Sequence, residues 1–273
     1  MYTEAKYNKA YKYLEELEGK DDEQLVKSKQ RVKDAGEVFT PRWVVRDMLD
    51  LDEIKDMSFE LDTTFLEPAC GNGNFIIQIL LRKLTSISKE AFDIDVARSV
   101  ASIYGVDIAE DNVNETRARM MNAIKHFYAD NEMQLSREIE CSLWYILYRN
   151  IILGNTLENK KYAEHYSPKE LVASKAYDTE DAAIAAKNST EGLAIVDTRA
   201  NGFVGDDGRK KVIDNLLVSE WKFNGSRVHR AEFKVEDMSE GHDALVLYDY
   251  EAVPFSKLYK LHDSTGPKLD DLI

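Results

Sequence analysis

Residues 65–75, Phe-Leu-Glu-Pro-Ala-Cys-Gly-Asn-Gly-Asn-Phe, bring together a carboxylate, a thiol and two glycines one residue apart. Gly71 and Gly73 lack Cβ, so the turn they form can take positive φ and a ligand can come close to the backbone. A second candidate is Asp107, which ends the apolar run Ser-Ile-Tyr-Gly-Val-Asp. A carboxylate at a strand end can accept from both hydroxyls of a ribose. It can also cap the helix that starts near Glu110, and the two roles are compatible. No third glycine follows Gly73 two residues on, and no Lys-Ser/Thr pair follows the loop. The loop is therefore a poor match to the P-loop and dinucleotide types, although its setting suits a nucleotide-like ligand.

The elements that must position these groups follow from the pattern around them. Thr64 to Leu66 reads as a strand, the glycines as a tight turn and Phe75 to Leu84 as a helix. In such a βα unit the loop sits at the carboxyl end of a parallel strand, where doubly wound sheets bind ligands. Ser102–Asp107 is the second strand and Glu110–Tyr128 its helix. Leu143–Tyr148 is a long apolar, buried segment leading into Asn150–Leu157.

Upstream, residues 1–33 read as helical, with tyrosines at 2, 7, 11 and 13 and a break at Gly19-Lys20-Asp21-Asp22. They suit a solvated helical lid better than a partner-binding arm. Thr40 is an N-cap candidate with Pro41 at the first helical position of Trp43–Leu51. Downstream, Glu240-Gly241-His242-Asp243 is a turn signal. The tail, Pro254 to Ile273, is polar and loosely packed.

A chain of 273 residues can bury the core of one α/β domain plus appendages. No apolar run reaches the ~20 residues of a membrane span and no leader pattern opens the chain, so a soluble, cytoplasmic protein is expected. Cys70 and Cys141 are the only cysteines, and the five histidines lack ligand spacing, so neither a disulfide framework nor a metal site is indicated. The net charge of −14 opposes a free-standing nucleic-acid binder. Residues 1–42 carry nine basic and nine acidic side chains, so the excess lies beyond Arg42.

The string Glu-Pro-Ala-Cys-Gly-x-Gly-x-Phe resembles the first motif of S-adenosylmethionine-dependent DNA adenine-N6 methyltransferases, the methylases of type I and type II restriction-modification systems. Gly-x-x-Phe-Thr-Pro, at 36–41, resembles the family's other cofactor motif, in the order of the class in which it comes first. The resemblance covers about residues 36–250. It implies a Rossmann-like methyltransferase fold, a seven-stranded, mostly parallel sheet with an N-terminal helical extension. The division would be 1–35 for the extension, 36–253 for the methyltransferase-like domain and 254–273 for the tail.

By the same resemblance, S-adenosyl-L-methionine would be held by Phe39, Thr40 and Pro41, by Glu67, Pro68, Ala69, Cys70, Gly71, Gly73, Asn74 and Phe75, and by Asp107. Ile108 would pack on the adenine. Asn155 stands where the family usually has an Asp that accepts from the adenine amino group. Asn150–Leu157 resembles the third strand and its turn, Gly192–Val196 the fifth strand, Asn201-Gly202-Phe203 with Arg209–Leu217 the loop and helix after it, and Trp221–Phe233 with Ala244–Tyr250 the closing antiparallel hairpin.

The fourth motif departs from the pattern. Family members follow the third strand with one ending in Asn/Asp-Pro-Pro-Tyr/Phe, whose acceptors hold the target amino group and whose ring stacks on a flipped base. No such string occurs between Asn159 and Glu191. Tyr166 and Pro168 are its nearest relics by position, and Val253-Pro254-Phe255 has a similar look in the wrong place. No catalytic residue is therefore assigned. The resemblance implies either DNA adenine methylation or an inactive, cofactor-binding subunit or decoy in a restriction-modification system. DNA would be reached through a protein partner or specificity subunit.

Overall fold

The computed structural model describes residues 2–19, 25–162, 164, 212–234 and 246–261. Strand β1 (Phe65–Glu67) is parallel to β2 (Ile103–Asp107), which is parallel to β3 (Ile151–Asn155). Between them run α5 (Asn74–Leu84) and α6 (Phe92–Ala101), then α7 (Glu110–Asp130) and α8 (Arg137–Asn150). The two crossovers are long enough to carry helices, as parallel pairing requires. The glycine loop and Asp107 both lie at the carboxyl ends of these strands.

Successive residues of a strand point to opposite faces, and β2 shows what each face meets. A Cβ on Gly105 would lie 2.6 Å from Ile76 Cδ1 and 3.2 Å from Cys70 Sγ, so this face is closed by α5 and the glycine loop. Tyr104, one residue back, donates from its hydroxyl to the Ser219 carbonyl at 2.6 Å on the other. Along α5 nearly every side chain is buried, Ile76, Leu80 and Leu84 completely.

The sheet continues past β3 with antiparallel strands, β4 (Lys160–Tyr162) on β3 and β5 (Val212–Asn215) on β4. The described strands of this sheet are thus three parallel and two antiparallel, a mixed α/β arrangement short of the seven expected. The expected fifth strand, Gly192–Val196, lies outside the described residues, as do Asn201–Phe203, Tyr166, Pro168 and the Glu240–Asp243 turn.

A second sheet joins β6 (Leu217–Asn224), β7 (Arg227–Lys234) and β8 (Val246–Asp249), with β9 (Val253–Pro254) also on β7. It corrects two expectations. The helix expected over Arg209–Leu217 is strand from Val212 onward, because β5 finds a partner in Lys160–Tyr162, some fifty residues back. The span Trp221–Phe233, expected as one strand, is folded at Asn224-Gly225, where Gly225 takes a φ of 57°. Asn-Gly between alternating residues is a hairpin turn signal in its own right.

Segments near both ends of the described residues enter the core. In α1 (Glu4–Glu18) the buried residues Ala10, Tyr13 and Leu14 fall at helical spacing and pack toward α5, where a solvated lid was expected. Helix α2 (Lys29–Ala35) is capped by Ser28, which accepts from the Arg31 amide at 3.1 Å. At the other end the 3₁₀ turn Phe255–Lys260 buries Phe255, Leu258 and Tyr259 against α8, so the first part of the expected loose tail is packed; residues 262–273 lie outside the described residues. None of the described helices is long and apolar enough to cross a membrane.

Candidate functional site

The glycine loop is tied down on every side by its neighbours. The Cys70 amide donates to the Val106 carbonyl at 2.9 Å, which extends the β1–β2 ladder into the loop. Gly71 takes a φ of 53° and Gly73 one of 89°. A Cβ on Gly71 would meet the Phe39 ring at 3.1 Å, and one on Gly73 the Thr116 side chain at 2.8 Å. Both glycines are thus required twice, by backbone conformation and by close packing.

From α7, Thr116 donates to the Gly71 carbonyl at 3.2 Å, and Arg119 donates to the Asn72 carbonyl and to Asn74 Oδ1. Asn74 in turn donates to the Thr40 carbonyl at 2.8 Å. Thr40 and Pro41 are therefore brought to the loop through main-chain atoms. Helix α3 (Arg42–Leu49) starts one residue later than expected: Pro41 is its N-cap residue, and the Thr40 hydroxyl makes no cap bond there. Thr156, just past β3, donates to the Pro68 carbonyl at 2.8 Å and brings the third strand's turn to the same place.

The polar groups at this end differ in how far they are used. Asp107 accepts from the Gly71 amide at 2.8 Å through Oδ2, and from the Ala109 amide at 2.8 Å through Oδ1. It thereby clamps the glycine loop to the start of α7. Asn155 Oδ1 accepts from the amides of Leu157 and Glu158 at 3.0 and 3.3 Å, a local turn that occupies the oxygen expected to face an adenine. Burial pushes the Glu67 carboxyl above its ordinary range, against the Ala69 amide that stabilises its charge. Burial likewise pushes the Cys70 thiol up, and the negative charges of Asp107 and Glu67 add to the effect, so Cys70 is held as a thiol with no nucleophilic character. Ile108 leaves 48% of its surface exposed beside these groups.

The structure also brings in residues that the motifs did not single out. Glu37 lies between Arg31, which donates to Oε2, and Asn112, whose Nδ2 donates to the same oxygen at 2.9 Å. The Asn112 amide nitrogen also reaches Asp107 Oδ1 at 3.2 Å. Around them, Lys27 pairs with Asp111 and Glu115, and Arg31 with Asp111. The Phe39 amide donates to the Leu25 carbonyl at 2.8 Å, so residues 25–39 form a strap across the start of α7. Glu37 was legible as the second residue of Gly-Glu-Val-Phe-Thr-Pro, and Asn112 as the third residue of the helix that follows β2.

A strand–glycine-loop–helix unit, a carboxylate clamp at the next strand and a Phe-Thr-Pro segment folded onto the loop thus converge on one place. The family model described as N-6 DNA methylase matches residues 22–192, well over half of the chain. The chain belongs to the N-6 DNA methylase family. No curated protein and no solved structure matches it at a significant level.

The family match spans the strap, the glycine loop, all three parallel strands and the segment where the fourth motif was expected. Family members use S-adenosylmethionine, and the residues here fit it in kind: a tight glycine turn at a strand end, an exposed apolar side chain, and carboxylates with acceptor capacity left over. Among the described residues, no group of three or more His, Cys, Asp or Glu side chains could hold a metal ion.

Proposed function

We propose that this methylase-family protein binds S-adenosyl-L-methionine at the carboxyl ends of β1–β3 and methylates the amino group of adenine in DNA. The observation that carries the reading is the Asp107 clamp, a carboxylate that joins the glycine loop to the second strand where a ribose would lie. Phe39, Thr40 and Pro41 would enclose the cofactor with residues 67–75, and Ile108 would offer its exposed face to the adenine. Asn155 would sit at the adenine edge once its turn opens. Bound there, the cofactor supplies an electrophilic methyl group on sulfur. The reading carries with it a cytoplasmic protein of a restriction-modification system, a seven-stranded Rossmann-like sheet, and DNA delivered by a specificity subunit that offsets the −14 charge.

A second reading has a specific observation behind it. Transfer to an exocyclic amine needs acceptors that orient its lone pair and stabilise developing positive charge. No Asn/Asp-Pro-Pro-Tyr/Phe string supplies them between Asn159 and Glu191. On this reading the protein keeps the cofactor site and serves as an inactive subunit or decoy. Nucleoside mass spectrometry of DNA from a host without adenine methylation separates the two. N6-methyladenine that appears only with the protein expressed supports the enzyme. Its absence, with cofactor binding intact, supports the second reading.

A further inference from the structure

The acceptors around Asp107 are unevenly used. Each carboxylate oxygen has two lone-pair positions. Asp107 Oδ1 is filled by the Ala109 amide and Asn112, and Oδ2 takes the Gly71 amide alone. Asp107 therefore has room for one more donor, and a ribose brings two vicinal hydroxyls.

Glu37 has the capacity that Asp107 lacks. Its Oε2 is filled by Arg31 and Asn112, while its Oε1 is buried with no hydrogen-bond partner among the described residues. Asn112 is 1% exposed, and its Oδ1 is likewise buried and unpartnered. One amide nitrogen, Asn112 Nδ2, contacts both carboxylates, so Glu37 and Asp107 are close neighbours. The orientation of that amide is fixed, because turning it over would set its oxygen against both. A buried acceptor without a donor is costly, and a hydroxyl brought by a ligand would supply one to Glu37.

We propose that Glu37 is a second ribose-binding residue: Glu37 Oε1 accepts from one hydroxyl of the cofactor's ribose while Asp107 Oδ2 accepts from the other. This rests on the cofactor reading above and names the residue that completes it. Three carboxylates, Glu37, Asp111 and Glu115, face two cations, Lys27 and Arg31, and Asp107 adds a fourth negative charge beside them through Asn112. Such a site favours an unphosphorylated ribose and rejects a phosphate on either hydroxyl.

The test is calorimetric titration of the full chain with S-adenosylhomocysteine and with its 2′,3′-dideoxy analogue. Glu37→Ala weakens binding of the first about ten-fold or more and leaves binding of the second unchanged, because the hydroxyl it would accept from is gone. Arg31→Ala, which loosens the strap but keeps the acceptor, changes the two ligands alike. Glu37→Gln, of the same volume, replaces the alanine variant if that fails to fold. Equal losses on both ligands would make Glu37 a strap residue and overturn the proposal, as would unchanged affinity for S-adenosylhomocysteine. If the unaltered protein binds neither ligand, the cofactor reading fails first and takes this assignment with it.

Discussion

Two buried groups at opposite ends of the parallel strands, Lys83 and Glu37, are used differently. At the amino end Lys83, fully buried, directs its ammonium at the carbonyls of Glu60, Leu61 and Thr63 at 2.6, 3.2 and 2.6 Å. Three donors meet three acceptors, so Lys83 is complete as it stands. At the carboxyl end Glu37 Oε1 and Asn112 Oδ1 are as well hidden from water and have no donor among the described residues. A buried amine whose donors are all taken is a structural fixture, whereas a buried acceptor without a donor calls for one, and under the proposed function the cofactor supplies it.

The strongest test of that contrast removes Asp107. Asp107→Ala leaves the Gly71 and Ala109 amides without their acceptor and unclamps the loop, at about 1–3 kcal/mol for each stranded group. We expect affinity for S-adenosylmethionine to fall by about a hundred-fold or more, read by calorimetry. Unchanged affinity would move the cofactor elsewhere. Next comes Gly73→Ala, which forces a Cβ into Thr116 at a φ of 89°. A loss of about 2–4 kcal/mol in urea unfolding is expected. Gly225→Ala, at positive φ but with nothing within 4 Å, should cost roughly 1 kcal/mol. Equal costs would show that packing on α7 does not hold the loop.

Lys83→Met sharpens the comparison from the other end. It strands three carbonyls and should lower stability by about 1–3 kcal/mol while leaving cofactor affinity unchanged. Burial pushes the Lys83 ammonium down to about 7, against the opposing pull of Asp62 and Glu60. The unfolded chain then binds more protons than the folded one between about pH 7 and the ordinary lysine value near 10.4. Stability contributed at this site therefore rises with pH across that window, and the slope should flatten in the methionine variant. A loss of cofactor binding in Lys83→Met would break the division between the two ends.

The smallest effect belongs to the strap. Burial acts to raise Asp111, but Arg31 and Lys27 outweigh it and hold its carboxyl below the ordinary range. A depressed carboxylate contributes stability that is present above about pH 4 and lost as pH falls below it. Asp111→Asn, or high salt, should raise hydrogen exchange over residues 25–37 by a few-fold and leave α5 unaffected. Identical exchange with and without Asp111 would show that the strap is held by the Phe39 side of the contact alone.

What the sequence made legible was what local rules govern. The strand–turn–helix around Gly71 and Gly73, the strand ending at Asp107 and the helix from Glu110 each follow from periodicity and glycine chemistry within a short window. Val212–Asn215 was not legible, because its strand pairing depends on Lys160–Tyr162 far back in the chain. Thr40 was misassigned as a cap because α3 begins one residue later and the Thr40 carbonyl is taken by Asn74. Glu37 stood inside a motif without a role, since an unfilled lone pair appears only when Arg31, Asn112 and Asp107 are assembled around it.

The central claim, that the acceptor-rich end of the strands is a cofactor site, is tested most directly by titrating S-adenosylmethionine into the purified 273-residue chain. The account predicts one-to-one binding with a dissociation constant in the micromolar range, about −8 kcal/mol, lost in Asp107→Ala and retained in Lys83→Met. Absence of binding at millimolar cofactor, or binding that survives Asp107→Ala and fails in Lys83→Met, would contradict it.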